Sequence, residues 1–278
     1  MRNMKQNPFS FYDFLGYMIP GAVFLYLAAF IFGREQIFSV FSIASTTANS
    51  NQLISFIPAV ICAYLLGHVL AIGSSAVIEA FTNISNGYPS EFLFDVKAKS
   101  YFSAKKKRDN FGRLILWLII FPISFLKLIL KSWLRISMFN QAKSLPAPLR
   151  NDVFNKCILV LKTHIEVSGN EFDIERGIDG DYLRLLYHFV FENSERHAGK
   201  LQNYVALYGL TRNVSFVFIL VFWASAVSMY IGDIAFNPLL LIVLSSLSYA
   251  FYIGFIKFYR RYSLEAIMAI SVFQKVDS

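Results

Sequence analysis

Four long apolar stretches constrain this chain more than any other feature of its sequence. They cover residues 17–32, 53–78, 213–232 and 238–256, and none of them contains Asp, Glu, Lys or Arg. A helix that crosses the hydrocarbon layer of a membrane needs about 20 apolar residues, and each stretch approaches or exceeds that length. Charged residues make up only 16% of the chain, against about 25% in typical soluble domains. The pattern therefore predicts an all-α integral membrane protein with four transmembrane helices.

Basic residues predict how these helices are oriented. Arg2 and Lys5 precede the first stretch, residues 97–108 after the second are rich in Lys and Arg, and Lys257–Arg261 follow the fourth. Because cytoplasmic flanks of membrane helices carry the excess of Lys and Arg, both termini and the large central region are expected in the cytoplasm.

Three regions follow from this topology. Residues 1–83 would hold an N-terminal interfacial helix and the first two transmembrane helices, with a bend at Pro20–Gly21. Residues 84–212 would form a cytoplasmic domain that includes a basic amphipathic segment, 105–135. Residues 213–278 would hold the last two transmembrane helices and a cytoplasmic tail.

The central region is predicted to be helical. Apolar residues recur every three or four positions in 149–167 and again in 182–208, which is typical of amphipathic helices. Between them, residues 169–180 are rich in Gly and acids, which indicates a loop or a short hairpin.

The segment 111–134 is apolar enough to suggest a fifth crossing. Its longest charge-free part, 114–126, contains Pro122 and is too short to span a membrane. Basic residues then repeat on one helical face, at Lys127, Lys131 and Arg135. An interfacial or re-entrant element on the cytoplasmic leaflet and a fifth crossing are both open, and the former is favoured because a fifth crossing would move the C-terminal basic residues outside.

Charge is separated into blocks in the central region. Residues 97–150 contain twelve Lys or Arg and one acid, Asp109, whereas residues 164–195 contain eight acids and two Arg. The basic block has aromatic neighbours, which suits a nucleotide or a short single-stranded nucleic acid; anionic membrane lipids would bind the same residues. The candidate phosphate-contacting residues are Lys105, Lys106, Lys107, Arg108, Arg113, Lys127, Lys131 and Arg135.

Small residues form a stripe along the second apolar stretch. They recur at every fourth position, at Ala59, Ala63, Gly67, Ala71 and Ser75. Such a stripe lets another helix approach closely. It fits a homo-oligomer or a tightly packed pore wall, and it fits packing against another helix of the same chain equally well.

Polar residues in or beside the apolar stretches are candidates for a pore or a gate. They are His68, Glu79, Ser245 and Ser246. Ionisable groups at membrane depth are costly and usually face a protein or water-filled interior. The alternatives are a neutral His68 that is hydrogen-bonded to a neighbouring helix, and serines that bond to their own helix backbone.

No motif for catalysis or metal binding is found in the sequence. There is no phosphate-binding glycine loop, no CxxC pair, no HExxH and no GxSxG. We expect no cofactor, no metal site and no enzymatic activity, and we keep a lipid-modifying enzyme as a minor alternative.

Two stretches resemble a known class of proteins. FYDFLGYMIPG (Phe11–Gly21) and RHAGKLQNYVALYGLTRNVS (Arg196–Ser215) resemble small bacterial membrane effectors of anti-phage defence, of which the Hailong type is one group. The resemblance implies an oligomeric ion channel that disrupts the inner membrane upon infection, paired with a nucleotidyltransferase that makes a DNA-like ligand. The competing hypothesis is a non-conducting membrane anchor or scaffold that recruits a soluble partner protein.

Overall fold

The protein is predominantly helical in the part of the chain that the computed structural model describes. The described ranges are 13–33, 52–98, 100–104, 106–132, 142–167 and 172–273. Helices account for 83% of these residues, which contain no strand. The prediction of an all-α chain is therefore confirmed.

Four helical segments are long and apolar enough to cross a membrane, and each overlaps one of the predicted stretches. They are Phe14–Phe32, Ile57–Phe92, Glu195–Ile231 and Pro238–Val272. The first begins with a π-helical turn, Phe14–Met18, that leads into α1, Ile19–Phe32. The second contains most of α2 (Gln52–Ser74), followed by a second π-helical turn, Ser75–Glu79, and α3, Ala80–Asn86.

The remaining helices follow in chain order. They are α4 (Pro89–Phe92), α5 (Lys107–Ile119), α6 (Phe121–Ser132), α7 (Ala147–Thr163), a 3₁₀ turn (Ile174–Arg176), α8 (Gly180–Asn193), α9 (Glu195–Ile231) and α10 (Pro238–Phe273).

The chain divides into two compact units. The described residues of Met1–Glu79, Ile115–Ile136 and Gly209–Phe255 form the first unit. Those of Ala80–Leu114, Ser137–Tyr208 and Ile256–Ser278 form the second. Helices α9 and α10 contribute residues to both.

Residues 111–134, the segment with the open interpretation, form two helices instead of one straight span. α5 and the part of α6 up to Leu130 are bent by 77°. Pro122 is the second residue of α6, where its missing N–H costs nothing. The carbonyl of Ile119 at the bend accepts a hydrogen bond from Trp223 Nε1 at 2.9 Å, which satisfies one of the carbonyls that a helix end leaves unpaired.

The second unit has an apolar core built from α7, α8 and the C-terminal part of α10. Leu183, Leu186 and Val190 of α8 are buried in it, and their spacing is that of one helical face. Cys157 of α7 and Ile267 of α10 are fully buried among them. The apolar periodicity that predicts helices in 149–167 and 182–208 thus identifies the residues that form this core.

The helix predicted over 182–208 is interrupted at Ser194. The backbone is extended at Ser194, and the Ser194 hydroxyl oxygen accepts a hydrogen bond from the backbone N–H of His197 at 3.4 Å. A serine in this position caps the start of a new helix, so α9 begins at Glu195 and continues through the third apolar stretch. α10 likewise continues past residue 256 to Phe273, and Lys257–Arg261 therefore lie within a helix.

The loop or hairpin predicted for 169–180 contains the 3₁₀ turn Ile174–Arg176 in its described part. The Asp173 carboxylate accepts a hydrogen bond from Glu175 N at 2.9 Å, which is the capping role that Asp commonly plays.

Candidate functional site

The first unit contains an ion pair between two of its apolar helical segments. Arg212 of α9 donates from Nη1 to the carboxylate oxygen Oε2 of Glu79, the last residue of the second π-helical turn. Only 11% of the Arg212 side chain and 24% of the Glu79 side chain are exposed. Removing a charge from water is costly unless an opposite charge and hydrogen bonds compensate for the lost hydration. Each of these two side chains therefore compensates for the buried charge of the other.

Two buried polar residues extend the ion pair into a cluster. The Arg212 Nε–H donates to Ser74 Oγ at 3.1 Å and is 3.4 Å from Asn213 Oδ1. Ser74 Oγ is also hydrogen-bonded to Asn213 Oδ1. Ser74 and Asn213 are almost completely buried. We call Ser74, Glu79, Arg212 and Asn213 the polar cluster.

The polar cluster connects three separate parts of the chain. Asn213 Nδ2 donates to the carbonyl oxygen of Gly16 at 2.7 Å, and Gly16 lies in the first π-helical turn. Ser75, at the start of the second π-helical turn, donates from its hydroxyl to Glu79 Oε2 at 3.2 Å. Both π-helical turns of the described residues therefore contribute to the site, and such turns occur frequently at functional sites.

His68 lies on α2, where two tyrosines surround its ring. Tyr17 stacks on it with ring centroids 3.9 Å apart and planes 21° apart. Tyr64 meets it edge-on, with centroids 4.7 Å apart. The ring is half-buried. Among the described contacts, His68 is thus part of an aromatic group between α2 and the first π-helical turn.

The stripe of small residues on α2 faces the first apolar segment at two of its positions. A Cβ atom added to Gly67 would lie 1.9 Å from the carbonyl oxygen of Tyr17, and one added to Gly21 would lie 1.8 Å from the carbonyl oxygen of Ala63. Gly21 thus has a packing role, and Pro20 lies in the first turn of α1. Ala59 and Ala71 are half-buried and Ser75 is exposed. Of the two interpretations of the stripe, packing within the chain accounts for Ala63 and Gly67.

Serines in α10 differ in their environments. Ser245 is buried, whereas Ser246 is exposed and donates to its own helix at Ile242 O, 2.8 Å away. Ser248 is buried and exchanges hydrogen bonds with Ser215 of α9: Ser215 Oγ donates to Ser248 O at 2.9 Å and Ser248 Oγ to Ser215 O at 3.2 Å.

The predicted phosphate-contacting residues differ in their surroundings. Lys106, Lys107 and Arg108 are exposed at the start of α5, and Lys127 is exposed on α6. Arg113 donates to the carbonyl of Tyr101 at 2.5 Å, and the Tyr101 hydroxyl donates back to the carbonyl of Arg113 at 2.9 Å. Burial raises the pKa of Tyr101. Lys105, Arg135 and the side chain of Lys131 lie outside the described structure.

Sequence reasoning named Glu79 but missed its partner Arg212 and the adjoining Asn213. The available signal was that one apolar stretch ends at an acid, Glu79, and another begins directly after a base, Arg212. Opposite charges at the edges of two apolar stretches become neighbours if the two helices pack side by side.

No cluster of three or more His, Cys, Asp or Glu residues that could hold a metal ion is present in the described part of the chain. Comparisons with protein-family models, with curated proteins and with solved structures found no match.

Proposed function

We propose that this chain forms a homo-oligomeric ion channel in the bacterial inner membrane and that the channel opens in response to a ligand or partner protein on its second unit. The observation that carries the proposal is the Glu79–Arg212 pair among apolar helices. Ionisable residues in such surroundings are costly, and they commonly mark ion pathways and moving elements in membrane proteins.

The polar cluster would act as a latch. In the closed state Arg212 and Asn213 join α9 to the Glu79 turn and to the Gly16 turn. α9 also supplies residues of the second unit, so a ligand that displaces this helix would break the cluster. Uncompensated charges would then recruit water, which favours a hydrated, conducting state.

The proposed ligand is a nucleotide or a short single-stranded nucleic acid that binds the basic residues at the start of α5, which belong to the second unit. The exposed residues Lys106, Lys107 and Arg108 provide the charge that attracts phosphates. A role in anti-phage defence is part of the proposal and rests on the resemblance of Phe11–Gly21 and Arg196–Ser215 to membrane effectors.

Ion flux from proteoliposomes tests the latch. The single variants Glu79→Gln and Arg212→Gln each leave one charge without its partner, which costs about 3–5 kcal/mol. We expect each to raise the flux without ligand at least about tenfold, since about 1.4 kcal/mol shifts an equilibrium tenfold. The swapped double variant, Glu79→Arg with Arg212→Glu, should return the flux toward that of the unmodified protein.

Asp233→Asn is the matched control because Asp233 is exposed. Its flux should equal that of the unmodified protein. Equal flux from all folded variants, with and without oligonucleotides, would contradict the latch.

A membrane anchor that recruits a soluble partner protein is the second candidate. The second unit has its own apolar core, so it can present a defined surface without help from a pore. Stoichiometric capture of one soluble protein by the full-length chain, together with no ion flux, would favour this function over the channel.

A further inference from the structure

An open polar cleft of about 290 Å³ lies in the second unit. Its lining includes Asp95 and Lys97 after α4, Arg150 and Asn151 of α7, and Ile174 and Glu175 of the 3₁₀ turn. Two cations, two acids and an amide therefore surround one small space, and the proposed channel function uses none of them.

The walls of the cleft are fixed by the backbone. Leu145 N donates to Leu93 O at 2.8 Å, and Ile178 N donates to Ser90 O at 3.3 Å. The segment before α7 and the segment after the 3₁₀ turn are therefore both hydrogen-bonded to the α4 region. Gly177 adopts a φ of +70°, and a Cβ there would lie 2.9 Å from Ser90 O. A side chain at this position would push the walls apart, so glycine permits the close approach.

Asp95 adopts a backbone conformation with positive φ, which few residues other than glycine adopt. Its φ is +70°, a region in which Asp is more common than most residues but still unusual. The conformation brings its carboxylate to Arg150 Nη1 at 2.9 Å. Residues held in such conformations cluster at binding and active sites.

The charges in the cleft are only partly used by the protein. Arg150 makes its contacts with Asp95 and with Phe94 O through Nη1, and these do not occupy its Nε and Nη2 groups. Within the described ranges, no residue forms a hydrogen bond or an ion pair with the side chains of Lys97, Asn151 or Glu175. Cations and acids that face one space without partners favour a ligand that carries both signs of charge.

We propose that this cleft binds a small zwitterionic phosphate ester that bears a primary ammonium group. Arg150 and Lys97 would contact the phosphate, since a guanidinium and an ammonium offer several charged donors to its oxygens. Glu175, Asp95 and the Asn151 carbonyl would accept hydrogen bonds from the ammonium group. A water occupies about 30 Å³ in the liquid, so the volume suits a ligand of about ten non-hydrogen atoms.

Calorimetric titration of the full-length protein in detergent with O-phosphoethanolamine tests the proposal. The expected result is saturable binding of O-phosphoethanolamine. Inorganic phosphate alone and ethanolamine alone should each bind at least about tenfold more weakly, because each carries only one of the two charged groups. The variants Lys97→Gln and Glu175→Gln should each weaken binding at least about tenfold. They remove no contact with a described residue, so they should fold.

Lys143→Gln and Glu192→Gln are the matched controls, since both residues are exposed and lie outside the cleft lining. Absence of binding, or binding that the two cleft variants do not weaken, would overturn the proposal. Competition by phosphatidylethanolamine in nanodiscs, compared with phosphatidylcholine, would identify a lipid headgroup as the source, and binding without competition would identify a soluble phosphate ester. The measurement does not depend on conductance, so it can fail or succeed independently of the channel.

Discussion

The side-chain amide of Asn213 donates to the main-chain carbonyl of Gly16, 2.7 Å away and 197 positions earlier in the chain. This bond joins the start of the third apolar stretch to the π-helical turn before α1. Because Asn213 is also hydrogen-bonded to buried Ser74, one side chain holds three segments together.

Replacing Asn213 by Ala should destabilise the protein by about 1–3 kcal/mol, because buried polar groups at Ser74 and Gly16 lose their partner. The free energy of unfolding in detergent measures the effect. Asn193→Ala is the control: Asn193 is exposed, and among the described residues its side chain bonds only to Phe189 O of its own helix, so the loss of stability should stay within about 0.5 kcal/mol. Equal effects of both variants would argue against a structural role of the polar cluster.

Gly67→Ala should destabilise the protein by about 1–3 kcal/mol. The added Cβ would lie 1.9 Å from Tyr17 O, and backbone atoms cannot rotate away as a side chain can. Gly199→Ala provides a matched control in a helix, since a Cβ there meets no atom within 4 Å. That control should be stabilising by roughly 0.5–1 kcal/mol, because Ala favours helix. Thermal unfolding of both variants in one detergent compares them directly, and a neutral Gly67→Ala would contradict the close approach.

Cys157 should resist thiol reagents in the native protein. Burial raises the pKa of its thiol from the usual 9.0 to about 12, and the thiolate is the reactive form. In a Cys62→Ala background, maleimide at pH 8 should label Cys157 only after the protein is unfolded. Rapid labelling of the native protein would show that the core of the second unit is open.

The raised pKa of the Cys157 thiol also makes the free energy of unfolding depend on pH. Between pH 9 and about 12 the unfolded thiol loses its proton while the native thiol keeps it, so the unfolded state gains stability as the pH rises. The free energy of unfolding should fall by up to about 1.4 kcal/mol per pH unit in this window. Chemical unfolding at pH 8, 9 and 10 should show a smaller decline for Cys157→Ala, and parallel declines would contradict the assignment.

Trp223→Phe should cost about 1 kcal/mol, because it removes the hydrogen bond from Nε1 to Ile119 O and keeps most of the apolar area. Amide hydrogen exchange at 119–123 should accelerate, since the bend loses this tether. Trp117→Phe is the control: Trp117 contacts Phe121 edge-on and forms no hydrogen bond through its side chain to a described residue. Unchanged exchange in Trp223→Phe would mean that the bend holds without the indole.

Sequence alone predicted the four apolar helices because membrane-length runs without charge are rare in other folds. It left 111–134 open between an interfacial or re-entrant element and a fifth crossing, and this segment forms two helices divided at Ile120. It could not find the helix start at Glu195, because the apolar periodicity continues across Ser194 and only the backbone conformation there reveals the cap.

The sequence alone did not show which residues the candidate residues contact. Spacing showed that Gly67 permits a close approach, but not that Tyr17 makes it. Likewise Glu79 was recognised from its place beside the second apolar stretch, whereas its pairing with Arg212 was not. Pairing across such distances in the chain is decided by how helices pack, which local patterns do not encode.

The central claim is that the protein conducts ions and that the polar cluster holds it closed. Single-channel recording of the purified full-length protein in a planar bilayer tests it most directly. The account predicts discrete openings that become more frequent when oligonucleotides are added on the cytoplasmic side, and frequent openings without ligand in Arg212→Gln. Electrical silence from correctly folded protein, both unmodified and Arg212→Gln, under all of these conditions would contradict the account.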